Sequence, residues 1–402
     1  MAIYTEWTIA TKFLREGKAQ TMLILVGIGL GVAVIVFLTA LINGLQKNTI
    51  QRTLGTQAHI RVLPADQRNI VVAPPPGTAQ LTLEDKRAQR LKSINNWQQV
   101  RDLLDRQAHI TAVSPVISGP AFARRGDALQ SVALLGIDPV RYQRIVKLQE
   151  AMDEGVFRIG AGDALIGRQL ATEMGLRAGD KLRLDGGQQR EAVVNVAGIF
   201  ELGVRELDTR YVYLDMKQAQ SLLDLPGAAT VIDVTVDEIF NAQTIAERIA
   251  RLSGLKAESW METNAQLMNA LSAQRLTTRM ISIFVALSVA LGIASVLSVS
   301  VVQRTREIGI LRAMGTTRQQ VLRVFLIQGA LYGLAGSIPG GLAGYGLVAT
   351  FNTFGPRLFA VPMEAGLLLA AVSLATITGI LAAVVPARRA ALLDPVEAIR
   401  HV

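Results

Sequence analysis

The sequence contains no cysteine among its 402 residues, so whatever core it builds is built without disulfides. Histidine is nearly absent too. His59, His109 and His401 are scattered, with no metal-ligand spacing among them. No G-x-x-x-x-G-K-[ST] occurs; Gly175, Gly179 and Lys181 have the wrong spacing to cradle a phosphate. No nucleophile–base constellation stands out, which makes a membrane-anchored hydrolase a poor second class. The most informative absence is charge. No Asp, Glu, Lys or Arg occurs in 19–46, 280–303, 324–356 or 365–387. Each stretch matches or exceeds the roughly 20 apolar residues that cross a hydrocarbon core of about 30 Å. Four such windows, with charge everywhere else, favour membrane spans over the buried helices of a large soluble domain. The first follows Lys12, Arg15 and Lys18 as a signal core would, but it is far longer than one and no A-x-A pattern follows.

What is present orients the chain. Residues 1–18, 304–323 and 388–402 together carry eleven Lys/Arg against five Asp/Glu, which is +6 of the formal +9. With four crossings these three segments share one side, and the positive-inside bias assigns it to the cytoplasm. The excess of positive charge is therefore a topology signal, and nucleic-acid binding is the weaker reading. The expected fold class is an α-helical membrane protein with four transmembrane helices, one plus three, and a large mixed α/β extracytoplasmic domain. Its expected divisions are a cytoplasmic segment 1–18, spans 19–46, 280–303, 324–350 and 365–387, an external domain 47–279, a loop 304–323, an external connection 351–364 and a tail 388–402.

Within 47–279, His59 to Leu63, Ile110 to Pro115 and Val132 to Gly136 are patterned as strands, and Trp97, Val100, Leu103 and Leu104 recur at helical spacing. Pro74–Gly77 marks an extended loop. A mostly β second portion is expected near 153–237. It opens with a helix over 164–175, on the spacing of Ile166, Leu170 and Met174, capped by Gly175. A turn at Asp185-Gly-Gly joins two strands. No proline occurs from Asn264 to Gln303, so one helix could rise from the membrane as a stalk, either to carry motion or simply to anchor. Gly27 and Gly31 line the first span. In the third, Gly329 with Gly333, and Gly336 with Gly340 and Gly344, allow close helix approach, and Pro339 is expected to kink or break it.

Between the second and third spans, Ile308, Leu311 and Met314 form an apolar stripe flanked by Arg306, Glu307, Arg312 and Arg318. Gly315 is placed to end that short helix and Thr316 or Thr317 to cap the next. Such a knob suits either a groove in a partner protein or the surface of anionic lipid.

The run Arg306-Glu-Ile-Gly-Ile-Leu-Arg-Ala-Met-Gly-Thr-Thr-Arg318 resembles the cytoplasmic coupling segment of the MacB/LolC–LolE/FtsX superfamily of ABC transporter permeases. Pro386-Ala-Arg-Arg-Ala-Ala-Leu-Leu-Asp-Pro-Val-Glu-Ala-Ile-Arg400 resembles its C-terminal signature. Leu134-Leu-Gly-Ile-Asp-Pro139 and Ala164-Leu-Ile-Gly-Arg-Gln-Leu-Ala171 look like segments of the lipoprotein-releasing members. The resemblance implies a MacB-like periplasmic core and residence in the bacterial inner membrane, with both termini cytoplasmic. It implies a permease that is not itself an enzyme, works by mechanotransmission and binds no cofactor, with ATP and Mg held by a separate ABC ATPase subunit. Arg306, Glu307, Gly309, Arg312, Gly315 and Arg318 would then be docking elements, and Gly27 and Gly31 would face a second permease copy or paralogue. Further implied partners are membrane lipids and a periplasmic carrier or membrane-fusion adaptor. Extraction or export of a lipid or lipoprotein competes with adaptor-linked efflux and with regulation of a periplasmic partner. The turn after Asp185 is shorter than the hairpin by which lipoprotein-releasing systems recruit their carrier.

Overall fold

The computed structural model describes residues 2–16, 18–65, 91–187, 190–355 and 359–394; the Pro74–Gly77 loop, Arg357, and the end of the C-terminal signature with Arg400 and His401 lie outside them. Two compact units emerge, one from residues 1–50 with 269–402 and the other from 51–268.

The chain opens with α1 (Ala2–Glu16) and α2 (Lys18–Gly55). It then builds β1 (Ile60–Leu63), α3 (Trp97–Leu104), β2 (Ile110–Arg125), β3 (Ala128–Ile137), α4 (Pro139–Tyr142), β4 (Met152–Gly155) and β5 (Asp163–Gly167). Next come α5 (Arg168–Met174), β6 (Lys181–Asp185), β7 (Glu191–Phe200), α6 (Arg205–Arg210), β8 (Tyr211–Asp215) and α7 (Met216–Leu222). The second unit closes with β9 (Val231–Val236), α8 (Ala242–Ser253), β10 (Lys256–Ser259) and α9 (Trp260–Thr263). Four helices follow: α10 (Ala265–Gln303), α11 (Thr305–Ala313), α12 (Arg318–Phe354) and α13 (Ala365–Leu392).

The strands of the second unit make one sheet in the order β10-β1-β9-β2-β3-β8-β5-β7-β4, with β6 pairing β2 and β7. The portion near 153–237 is thus continuous with the first, because β8 lies parallel to β3, Leu135 opposite Tyr213. Alternation buries both faces. Leu134, Ile166, Val212 and Leu214 fill one core, and Leu135, Leu165, Tyr213 and Phe200 fill the other. The helix expected over 164–175 is corrected here. Residues 163–167 are a strand, and only 168–174 are helical. Ala164, Leu165 and Ile166 are all fully buried, as an interior strand requires and a one-faced helix does not. Gly175, at φ +64°, does cap that helix, its N–H donating to carbonyls of the last turn.

In the first unit, α2, α10, α12 and α13 are the four helices long and apolar enough to cross a membrane. Helices α2 and α12 outrun their expected spans at both ends, α10 begins well before its span and ends with it at Gln303, and α13 runs on to Leu392. Helix α12 continues unbroken through Pro339, which corrects the expected break. Two glycine rows on α12 serve two neighbours. Gly329 and Gly333 meet the backbone of α13, where a Cβ added at Gly333 would lie 2.8 Å from Thr376 Cα. Gly336, Gly340 and Gly344 meet α2 at Ile28, Gly29 and Val36. Small residues bring backbones together where burial against lipid supplies no driving force.

Candidate functional site

The stretch between α10 and α12 is shaped by local chemistry. Helix α10 ends at Gln303, and Arg304 turns the chain into α11. The Arg304 guanidinium lies 4.4 Å from the Phe13 ring centroid and donates to the Phe13 carbonyl at 3.1 Å. Gly315, at φ +99°, takes the left-handed conformation that stops α11. Thr317 then caps α12: its hydroxyl accepts from the Gln320 N–H at 3.3 Å, and the Gln320 side chain accepts from the Thr317 N–H at 2.8 Å.

The apolar stripe does not stay together. Ile308 is 1 % exposed in the core of its own bundle, whereas Met314 is 78 % exposed. The outward apolar pair is Met314 with Ile310, one turn earlier, which the 3–4 spacing of the sequence had passed over. The charged residues divide likewise. Arg306, Glu307 and Arg318 are exposed beside that pair, and Gly309 is buried. Arg312 turns inward, donating from Nη1 to the carbonyls of Ala391 (3.3 Å) and Leu393, so it ties α11 to the end of α13. It sits where a C-terminal carbonyl wants a cation.

The second candidate region is the seam between α2 and α10. A groove of about 590 Å³ opens there, walled by Leu23, Gly27, Leu30, Phe284, Ser288 and Gly292 among others. Gly27 faces this groove, and a Cβ there would meet nothing within 4 Å. Gly31 lies against Val285 and Val289 of α10 within the same chain. Gly29, which the sequence did not single out, carries the close approach to Gly340 on α12. Only 11 % of the most apolar window of α10 is covered by its own chain, against 50 % for α12. Nearer the end where α10 enters the bundle, a cavity of about 730 Å³ is lined by Gln46, Arg275, Arg279 and neighbours.

In the sheet unit two titratable groups are tied to neighbouring strands. Asp233 on β9 is buried, its nearest cation being Arg61 Nε on β1 at 3.7 Å. Burial pushes its carboxyl up to about 6, with Arg61 pulling the other way. His59 ties β1 to β9 by accepting from the Val236 N–H at 3.1 Å, and burial lowers its pKa.

A membrane bundle with a large α/β domain inserted after its first helix defines a class of permease, and the comparisons give the family. Residues 21–252 match the MacB-like periplasmic core domain, and 279–395 match the FtsX-like permease C-terminal domain. The chain belongs to this family, as an ABC transporter permease of the LolC/LolE and MacB type. It is 25 % identical to the lipoprotein-releasing system transmembrane protein LolC of Xylella fastidiosa (strain 9a5c), over 95 % of this chain and 94 % of that one. It is also 25 % identical to the macrolide export ATP-binding/permease protein MacB of Shewanella oneidensis, over 95 % of this chain and 58 % of that one. Among solved structures, the periplasmic region of MacB from Actinobacillus actinomycetemcomitans aligns with 55 % of this chain and 95 % of its own, at 13 % identity and a TM-score of 0.35.

Proposed function

We propose that this chain is the permease subunit of an inner-membrane ABC system that extracts or exports a lipid or lipoprotein. A separate ATPase subunit, which holds ATP and Mg, docks on the loop carrying α11 from the cytoplasmic side, where both termini also lie. Closure of the ATPase moves α11, and α10 carries that movement towards the domain built on residues 51–268. A second permease copy or paralogue completes the assembly, with Gly27 on the surface it faces. The observation that carries the lipid reading is the apolar groove between α2 and α10, left open on a helix with 11 % of its window covered. The near full-length likeness to a lipoprotein-releasing protein supports the same cargo class. A second reading, export of a small molecule through an adaptor, is favoured by the likeness to a macrolide exporter.

Two measurements test this. Mass spectrometry of the purified assembly should find an acylated ligand; an assembly that carries none but co-purifies with an adaptor overturns the lipid reading. Charge reversal at Arg306 and Arg318, both exposed, should lower transport-linked ATP hydrolysis at least tenfold while the chain still inserts. Unchanged coupling in that double variant would mean that α11 is not the joint.

A further inference from the structure

The cavity where α10 enters the bundle is chemically unlike the groove below it. Arg275 and Arg279 stand one turn apart on α10, and Arg279 is the last charged residue before the charge-free run 280–303. At 1.5 Å per residue that run measures about 36 Å, so the two guanidinium groups sit at headgroup level rather than in hydrocarbon. Like charges at this spacing repel. Among the described residues, no carboxylate lies within salt-bridge distance of either. Opposite them on α2, Gln46 is 7 % exposed. Its Oε1 accepts from Arg275 Nε at 3.5 Å, and its Nε2 is buried with no partner. A buried amide N–H without an acceptor is costly, so such a group points to an acceptor that completes it. Of the three hydroxyls that line the same cavity, Thr39, Thr278 and Ser282, the last two spend their donors on their own helix. Thr278 donates to the Gln274 carbonyl at 2.9 Å and Ser282 to the Thr278 carbonyl at 3.0 Å. The charged groups lining the cavity are thus two guanidinium forks with no carboxylate among them, joined by the amides of Gln46 and Asn43 and the Thr39 hydroxyl, so a ligand that brings acceptor oxygens and negative charge fits it.

The cavity also continues into the bundle. A narrow pocket shares Ala286 and Leu374 with it, and shares Gly31 and Val289 with the open groove. A donor-rich mouth leading into an apolar seam has the polarity of an amphiphile. We propose that Arg275, Arg279 and Gln46 bind the phosphate of a membrane phospholipid whose acyl chains lie along the α2–α10 seam. This deepens the lipid-handling reading and rests on it.

The test uses the full chain in detergent, titrated with fluorescent phosphatidylglycerol, with diacylglycerol of the same chains, and with inorganic phosphate. Phosphatidylglycerol should bind at least tenfold more tightly than diacylglycerol. That margin should weaken with salt, shrink at least tenfold in R275A/R279A, and survive partly in R275K/R279K. The lysine variant, together with a melting curve for each protein, separates loss of the site from loss of the fold. Q46L, which keeps the bulk and removes the amide, should weaken phosphatidylglycerol alone. Equal binding of both lipids, unchanged in the double variant, overturns the headgroup site and leaves lipid handling standing. Binding of neither lipid overturns both. Inorganic phosphate competing as well as the lipid would mean a free-anion site instead.

Discussion

Helices α12 and α13 meet backbone to backbone, whereas α2 and α10 leave grooves a lipid could enter. Both pairs use glycine, so glycine count does not separate them. What separates them is what each glycine faces: Gly379 meets the Gly329 backbone, and Gly27 meets nothing. The first pair is closed by its sequence and the second is held open by it. Buried polar groups follow the same division. Asp233, in a closed sheet core, has only a distant Arg61 to offset its burial. Gln46, beside an open cavity, keeps donors that a ligand can satisfy.

The sharpest way to break the comparison is to add bulk on each side. Gly379→Val drives a side chain into the Gly329 backbone, and overpacking of this kind costs about 1–3 kcal/mol or more. The variant should fail to accumulate in membranes or melt far below the wild type. Asp233→Asn tests the closed sheet core. The folded-state pKa of Asp233 is raised from 3.8 to about 6, so the carboxyl is neutral in both states only well below 3.8; the ionisation penalty grows as pH rises from there to 6 and is fully present above it. The variant should therefore be more stable at pH 7.5, by something on the order of 3 kcal/mol, with the gain vanishing well below the unfolded carboxyl's pKa of 3.8, as followed by tryptophan fluorescence. A stability difference that does not change with pH would move the cause away from that carboxyl. Arg312→Ala releases the Ala391 and Leu393 carbonyls, and should lower the melting point by the equivalent of about 1.5–3 kcal/mol. Gly27→Leu should change the melting point least, within about 0.5 kcal/mol, while competing with a spin-labelled lipid for the groove. A large loss of stability there would show that the seam is closed in the working protein.

Much of this was legible in the chain. Missing charge located the four membrane helices, because a 20-residue gap in charge has few other uses. Gly315 could be placed as a stop, and the cap narrowed to Thr316 or Thr317, because these roles depend on residues two or three positions away; the structure makes it Thr317. Periodicity identified a stripe on α11 but not which neighbour takes it, so Ile308 going inward and Met314 outward was not readable. The strand at 164–167 was hidden for a related reason: three consecutive buried residues joined to a short helix mimic a longer helical stripe. The parallel pairing of β3 with β8 joins residues about eighty apart in sequence, and nothing local encodes it. Gln46 looked like the polar end of a span; only the approach of Arg275 from another helix gives its amide a meaning.

The two glycine rows on α12 bear on how such a protein can diverge. With one row pressed on α13 and the other on α2, five glycine positions of that helix are barred from most substitutions. In the seam, Gly27 and Gly292 carry no such constraint. A lineage can therefore exchange residues around Gly27 and Phe284 for others of different size without disturbing the bundle, and a new cargo preference can arise by drift along α2 and α10 while α12 stays fixed.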